Sequence, residues 1–387
     1  MKFNRKSLFL ICSAIFSISV KVYPQDDPIV QFEATARFDL IGLNNHDEKK
    51  YALFHGEGDI VASISSENLR LFKGGEFYIQ TMGIFGNQAS RKYAGDLQVF
   101  SNIESDTRIF LYQCWFKQTF NKLIVKFGQL DMNSDYSVSS WASPNVNSSF
   151  GVIPTISLNM SVSIFSYLTA GISFKYLVNN QITVQTAFFN GDPGNYETNR
   201  NNLNWHFSRE GGWFNISELH FKTKSNLKQG NYKLGMFYHS KNISDPSELT
   251  SAKGNLGFFV MGDQDLTSEK NTIKNGLRMF FQLSVSPAKV NMIKSYYGFG
   301  LIYRGMFRRM NEDEFTVAVA SAHINDTKLD RNPDLFNQET AIELTYKKYL
   351  KSNFIFQPDF QYIIHPGANR LYKGNVTVGL LRTILTF

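Results

Sequence analysis

Only two cysteines occur in the 387 residues, and Cys12 falls in an amino-terminal stretch expected to be removed. Cys114 alone makes no intramolecular disulfide. With no His/Asn partner pattern, it is expected to be a buried small hydrophobe rather than a nucleophile. Long hydrophobic runs are also missing: beyond residue 25 nothing approaches the ~18 apolar residues a membrane helix needs. Charge of one sign is scarce as well. Lys2, Arg5, Lys6 and Lys21 lie in or beside the removable stretch, and without them the formal charge falls from +7 to +3. That excess is too weak for nucleic acid or a polybasic membrane anchor. No H-E-x-x-H, G-x-S-x-G, G-x-x-x-x-G-K-[ST] or paired C-x-x-C occurs, and the seven histidines are scattered. No catalytic residue, metal or cofactor is therefore expected. The Gly298-Phe299-Gly300 pair lacks a third glycine and relieves packing within a strand instead. The acidic tips GDPGN and GDQD (Gly262 to Asp265) read as solvated turns, since neither offers a full set of calcium ligands.

What the chain does have is aromatic residues, 15% of the total, with 35 Phe and 18 Tyr. Mean hydropathy is nevertheless −0.24. Alternation reconciles the two, because a strand with one apolar face looks soluble on average. In GLRMFFQLSVS, Leu277, Met279, Phe281, Leu283 and Val285 share a face opposite Arg278, Gln282 and Ser284. In NFIFQPDFQYII, Phe354, Phe356, Phe360, Tyr362 and Ile364 oppose Gln357, Asp359 and Gln361. In ETAIELTYKKY, Ile342, Leu344 and Tyr346 oppose Glu343, Thr345 and Lys347. Such segments lie near residues 30–41, 56–65, 76–86, 106–118, 121–130, 170–178, 181–190 and 213–223. Others lie near 231–239, 255–262, 276–286, 294–308, 314–321, 337–349, 353–364 and 374–387. The total is about 16, with 18 compatible, and an even count suits a single-chain barrel.

The two ends agree with a membrane barrel. Lys2, Arg5 and Lys6 precede an apolar stretch from Ser7 to Val20, and polar Gln25-Asp26-Asp27 follow. This is the layout of a secretory signal peptide, residues 1–25, cut between Val22 and Asp26. Residues 26–387 then form a single domain. The final segment, KGNVTVGLLRTILTF, sets Leu381, Thr383, Leu385 and Phe387 on one face and Arg382 and Thr386 on the other. A terminal strand ending on Phe387 resembles the closing strand of outer-membrane barrels, where that residue is read by the assembly machinery. A soluble β-sandwich would alternate in the same way with its apolar face inward. The leader, the aromatic load and the terminal Phe together favour the all-β, transmembrane, antiparallel barrel. Arg or Lys facing lipid at the midplane costs about 2–4 kcal/mol, so the charged faces belong inside.

From Gly56 onward the chain resembles the carbohydrate-selective porins of bacterial outer membranes, the OprB type. The blocks that carry this are GEGDIVASISSENLRLFKGGEFYIQTMGIFG with GDLQVFSNIES, then FGQLDMNSDY (Phe127 to Tyr136) leading into NVNSSFG (Asn145 to Gly151). FFNGDPGN (Phe188 to Asn195) and the ending with Pro358-Asp359, Gln361-Tyr362 and Pro366-Gly367 complete them. Gln129 stands where the family has Arg, and Leu381 precedes Arg382 where Gly-x-Arg is commoner, so the resemblance carries the fold and not a particular sugar. It implies passive diffusion of mono- and oligosaccharides through a water-filled lumen, narrowed by a long third loop folded inward.

A sugar pore needs hydrogen-bond partners for hydroxyls and weak binding. The inward candidates are Glu218, Arg278, Arg304, Arg308, Glu343, Gln357, Asp359 and Gln361. The segment Asp131 to Ser166 is too long for a turn and is the expected constriction, with Asp135, Trp141, Asn145 and Asn147. Each of these residues has an alternative role as a stabilising wall residue. A general porin, or a plugged barrel for adhesion or envelope structure, remain rival functions. The expected surroundings are outer-membrane lipid, carbohydrates and the barrel-assembly machinery, with no nucleic acid; a monomer or a homotrimer fits the class.

Overall fold

The structure, a computed structural model, describes residues 29–223, 228–245, 250–267, 275–306 and 313–387. The expected leader and Arg308 lie outside the described residues. Sixteen strands follow in chain order: β1 Val30–Asn44, β2 Lys50–Ser65, β3 Gly75–Gly86, β4 Arg108–Phe120, β5 Leu123–Leu130, β6 Thr169–Leu177, β7 Ile182–Asn190 and β8 Trp213–Lys222. The second half is β9 Gly230–Asp245, β10 Thr250–Asp265, β11 Gly276–Val285, β12 Ile293–Arg304, β13 Glu314–Ile324, β14 Gln338–Lys351, β15 Phe354–Ile364 and β16 Val376–Thr386. All sixteen expected segments are present. Their ends differ: β2 begins before residue 56, and β12 stops short of residue 308.

Each strand pairs antiparallel with its neighbours in sequence, and β1 pairs with β16 to close the barrel. Closure leaves no edge strand, which a spanning sheet requires. At the end that bears both described chain ends the connections are short, as at 121–122 and 352–353. Asn121 adopts φ 49 there, the left-handed conformation that tight hairpins favour. The opposite end carries the long connections 87–107, 131–168 and 191–212, the second, third and fourth loops. In outer-membrane barrels the short turns are periplasmic and the long loops extracellular.

The faces divide as expected over most of the wall. Ile60, Ile79, Phe127, Leu283, Phe299, Leu344 and Phe360 are exposed on the outside, a belt of apolar surface no water-soluble protein would present. Arg278, Gln282, Ser284, Gln357, Asp359 and Gln361 are buried inside. The inner face is not uniformly polar, however. Phe189, Phe214, Phe237, Phe259, Phe280 and Tyr296 also point inward and join one core with Val146, Phe150, Ile153 and Ile156 of the third loop. Gly300 makes room for this, since a Cβ there would meet the Phe280 ring at 2.3 Å.

Two local expectations are overturned. Cys114 is exposed on the outer face rather than buried. The β3–β4 register shifts at Gln80/Thr81, pairing Gln80 with Gln113 and Thr81 with Leu111, so Tyr112 is an extra residue and the inside–outside parity of β4 flips past it. GDQD is not a solvated turn but the end of β10, with Asp263 and Asp265 buried against the lumen.

The wall is completed in an unusual place. β5 stops at Leu130, and its ladder to β4 reaches only Cys114↔Gln129, leaving the upper part of β4 without a β5 partner. The fourth loop fills that seam: Leu111 N donates to Asn201 O (3.1 Å), and Arg108 Nη1 donates to Arg200 O (2.8 Å). Gln129 Nε2 donates to Leu111 O and Tyr112 O at 2.8 and 2.9 Å, while Trp205 Nε1 donates to Gln129 Oε1 at 2.6 Å. Gln129, a departure from the family pattern, thus serves the bulged backbone. Gly128 before it has φ +133, and a Cβ would meet Cys114 O at 2.3 Å, so only glycine fits.

Candidate functional site

The third loop is docked inside the barrel by acids on the wall. Glu343 of β14 accepts from Val146 N (2.6 Å) and Asn147 N (3.0 Å). Glu218 of β8 accepts from Ser137 N at 2.6 Å and from Gln185 Nε2 at 2.7 Å. Asp263 of β10 accepts from Ser140 N (2.9 Å) and from the Ser139 hydroxyl. Backbone amides of an irregular loop have no ladder partner, and a carboxylate acceptor supplies the stronger, charge-assisted bond. Further along, Gln282 Nε2 donates to Phe150 O (3.0 Å) and Tyr296 OH donates to Ser149 O (3.0 Å).

The second loop is docked in the same way. Sequence reasoning missed this, because residues 87–107 show no periodicity. Glu339 of β14 accepts from Leu97 N (2.8 Å), Gln98 N (2.9 Å) and Gly367 N (2.6 Å). Arg382 of β16 makes a fork to Asp39 of β1, two bonds of 2.7 Å, and also donates to Asn102 Oδ1 at 2.7 Å. Ser101 Oγ donates to Asp39 at 2.6 Å. Within this loop, burial pushes the Glu104 carboxyl up to about 7, against the opposing pull of the Ser90 amide. Burial first, and then the Glu339 carboxylate, push Asp96 up to about 7.

Between the two loops and the wall from β14 through β16 and β1 to β3 lies a cavity of about 790 Å³. Arg37, Glu57, Gln80, Asn102, Lys347, Gln357 and Arg382 contribute polar groups to it, with Asn133 and Asn145 from the third loop. The cavity is therefore off-centre: the third loop packs its apolar residues on the wall lined by inward phenylalanines and borders the cavity with its other side. Arg37 Nη1 lies 2.6 Å from Glu57 Oε1 and 3.3 Å from Asp59 Oδ2, and its side chain keeps 32% exposure. A guanidinium held by two acids yet open to water presents donors and acceptors of both signs to a hydroxylated solute.

The residues anticipated from sequence separate into two groups. Gln357 and Asn145 line the cavity, and Gln357 Nε2 donates to Pro144 O at 2.6 Å. The other described ones face inward but are engaged elsewhere. Gln361 Nε2 donates to Phe100 O (2.8 Å) and to Asp359 Oδ1 (2.9 Å), and Gln361 Oε1 accepts from Asn147 Nδ2 (3.1 Å). Arg278 pairs with Asp265 at 3.2 Å and lies 4.0 Å above the Trp141 ring, joining wall to loop. Arg304 lies 3.8 Å from Glu314, and Asp135 pairs with Lys126. Arg37 and Asn102 were not anticipated, and Lys347, expected on an inward face, was not among the pore-lining candidates.

A family model for the carbohydrate-selective porins, the OprB family, matches residues 55–387. The chain belongs to that family. Porin B of Pseudomonas aeruginosa is 25% identical over 385 residues, covering 87% of this chain and 82% of that protein. A putative porin, QuiX, of Acinetobacter baylyi is 24% identical over 289 residues, 67% of this chain and 65% of that one. The solved high-pH structure of Pseudomonas putida OprB superposes with a TM-score of 0.84 at 22% identity, covering 92% and 94% of the two chains. This porin is accordingly an outer-membrane channel through which carbohydrates diffuse passively, and its apolar belt faces outer-membrane lipid.

Proposed function

We propose that sugar selection occurs in the off-centre cavity, by Arg37, Asn102, Lys347, Gln357 and Asn145. The observation that carries this reading is the Arg37–Glu57–Asp59 cluster open to the lumen between the two docked loops. Glu218, Arg278, Arg304, Glu343, Asp359, Gln361, Asp135, Trp141 and Asn147 serve the same selection indirectly, by fixing how far the loops intrude. Binding stays weak because each contact is shared with water, which lets the solute leave. Conductance in a planar bilayer, titrated with glucose and a maltose series, tests it. Saturable reduction of current is expected in the wild type, with weaker block in Arg37→Ala. Block unchanged by that substitution would move selection away from Arg37. Sugar-indifferent channels would indicate a general porin, and absence of channels a plugged barrel.

Residues 1–25 are proposed to leave as an export signal, which the mass of the mature protein checks. Phe387 is proposed as the residue read by the assembly machinery. It is 64% exposed, and its N donates to Ala34 O at 2.9 Å at the closing seam. Deleting Phe387 is expected to lower the amount of inserted barrel; normal insertion would remove this role.

A further inference from the structure

We propose that Tyr78 and Trp115 form a second sugar subsite, on the lumen wall at the periplasmic exit, suited to the ring of a neutral hexose. This rests on the carbohydrate-channel assignment and adds a position at which the solute pauses after the constriction.

The two rings face each other across the β3–β4 ladder, with centroids 4.5 Å apart and planes within 5°. The bulge at Tyr112 is what turns Trp115 inward, with Cys114 outward. Unlike Phe280 or Tyr296, which are fully buried beneath the third loop, both rings are only partly buried. On the constriction side, Tyr78 OH donates to Gln80 Oε1 (3.1 Å), and Gln80 lines the large cavity. On the exit side is a separate cavity of about 370 Å³, to which Gln31, Ser63, Glu76 and Lys117 contribute. Ser63 sits directly opposite Tyr78 on β2, and Lys117 lies two residues beyond Trp115. The aromatic pair lies between Gln80, which lines the large cavity, and Glu76 and Lys117, which line the smaller one.

That arrangement is what a pyranose requires. Its C–H face is apolar and packs on an aromatic surface, while its hydroxyls at the rim need donors and acceptors. The charge decides the class of solute. Lys126 and Lys117 stand 4.7 and 5.8 Å from the Trp115 ring, yet Lys126 is paired with Asp135 and Lys117 with Glu76. Each cation is neutralised by its own carboxylate, and Asp59 and Glu33 also stand near Tyr78, so the subsite offers hydrogen bonds in a field that is negative on balance. A neutral sugar fits, and an anionic one gains nothing.

Trp115→Ala and Tyr78→Ala test the subsite in bilayers, with glucose added from the periplasmic side. The expected result is a roughly three- to tenfold rise in the half-blocking concentration for either variant, the scale of one lost aromatic contact. Trp115→Phe, which keeps a ring, should lie between. Block unchanged in both alanine variants, while Arg37→Ala weakens it, would overturn the exit subsite and leave the constriction reading intact. Absence of glucose block in the wild type would overturn both. Should the alanine variants insert poorly, glucose titration of intrinsic tryptophan fluorescence in wild type and Trp115→Phe decides. A sugar-dependent change lost in that variant supports the subsite, and one of unchanged size overturns it.

Discussion

Glu343→Ala should yield channels of higher conductance that no longer discriminate among sugars, while the barrel still inserts. The two amides it holds, Val146 N and Asn147 N, are both buried. A buried hydrogen bond contributes about 1 kcal/mol, and losing the acceptor also leaves two donors without partners away from water. Asn147 additionally ties the loop to Gln361, so one substitution loosens the middle of the third loop on the side that borders the open passage. Glu343→Gln retains one oxygen and should show a smaller rise. Single-channel recording measures both, and protease sensitivity of the third loop reports its release independently. If conductance and sugar block match wild type in Glu343→Ala, the apolar packing of Phe150, Ile153 and Ile156 holds the loop without the wall acid.

Arg382→Ala should have the largest effect on the barrel itself. Its fork to Asp39 joins the last strand to the first, and the pair is buried. Removing one member of a buried pair costs about 3–5 kcal/mol, because the other is left charged and uncompensated. The same change releases Asn102, and with it one fixing point of the second loop. The expected result is a lower temperature for the heat-induced mobility shift in detergent and less assembled protein in the membrane. Arg382→Lys keeps charge but not the planar fork, and should recover only part. The double variant with Asp39→Ala should be less damaging than the sum of the singles, since neither charge is then stranded. Additive losses would mean that the two residues stabilise the seam separately.

Most of the strand inventory and the facing of the wall were legible in the sequence because lipid imposes a rule on every second residue. Leu283 and Val285 outside, Gln282 and Ser284 inside, follow from that rule alone. Phe280 does not follow from it, since an inward phenylalanine needs the third loop to cover it. Cys114 and Trp115 escaped it because the bulge at Tyr112 shifts parity midway along β4, and an extra residue leaves no mark in composition. The pore was legible in kind but not in detail. Glu218, Glu343 and Gln361 were recognisable as inward, yet whether an inward acid meets solute or a loop amide depends on contacts spanning much of the chain. Val146 and Glu343, or Asp39 and Arg382, share no local pattern. The second loop was invisible for a related reason: much of its docking to the wall uses its own backbone amides, which every residue other than proline carries.

The fourth loop bears on the order in which this barrel can come together. Strands that zip up one after another from β3 to β6 would leave a slit beside the upper part of β4, with Leu111 N and its neighbours turned toward hydrocarbon. Such orphaned groups cost several kcal/mol each in a bilayer. Asn201, which caps Leu111, is delivered only after β6 and β7 have been laid down and the chain has doubled back over them. Watertightness beside β4 thus waits on a segment beyond β7 and is reached through a contact distant in sequence, the kind that slows folding.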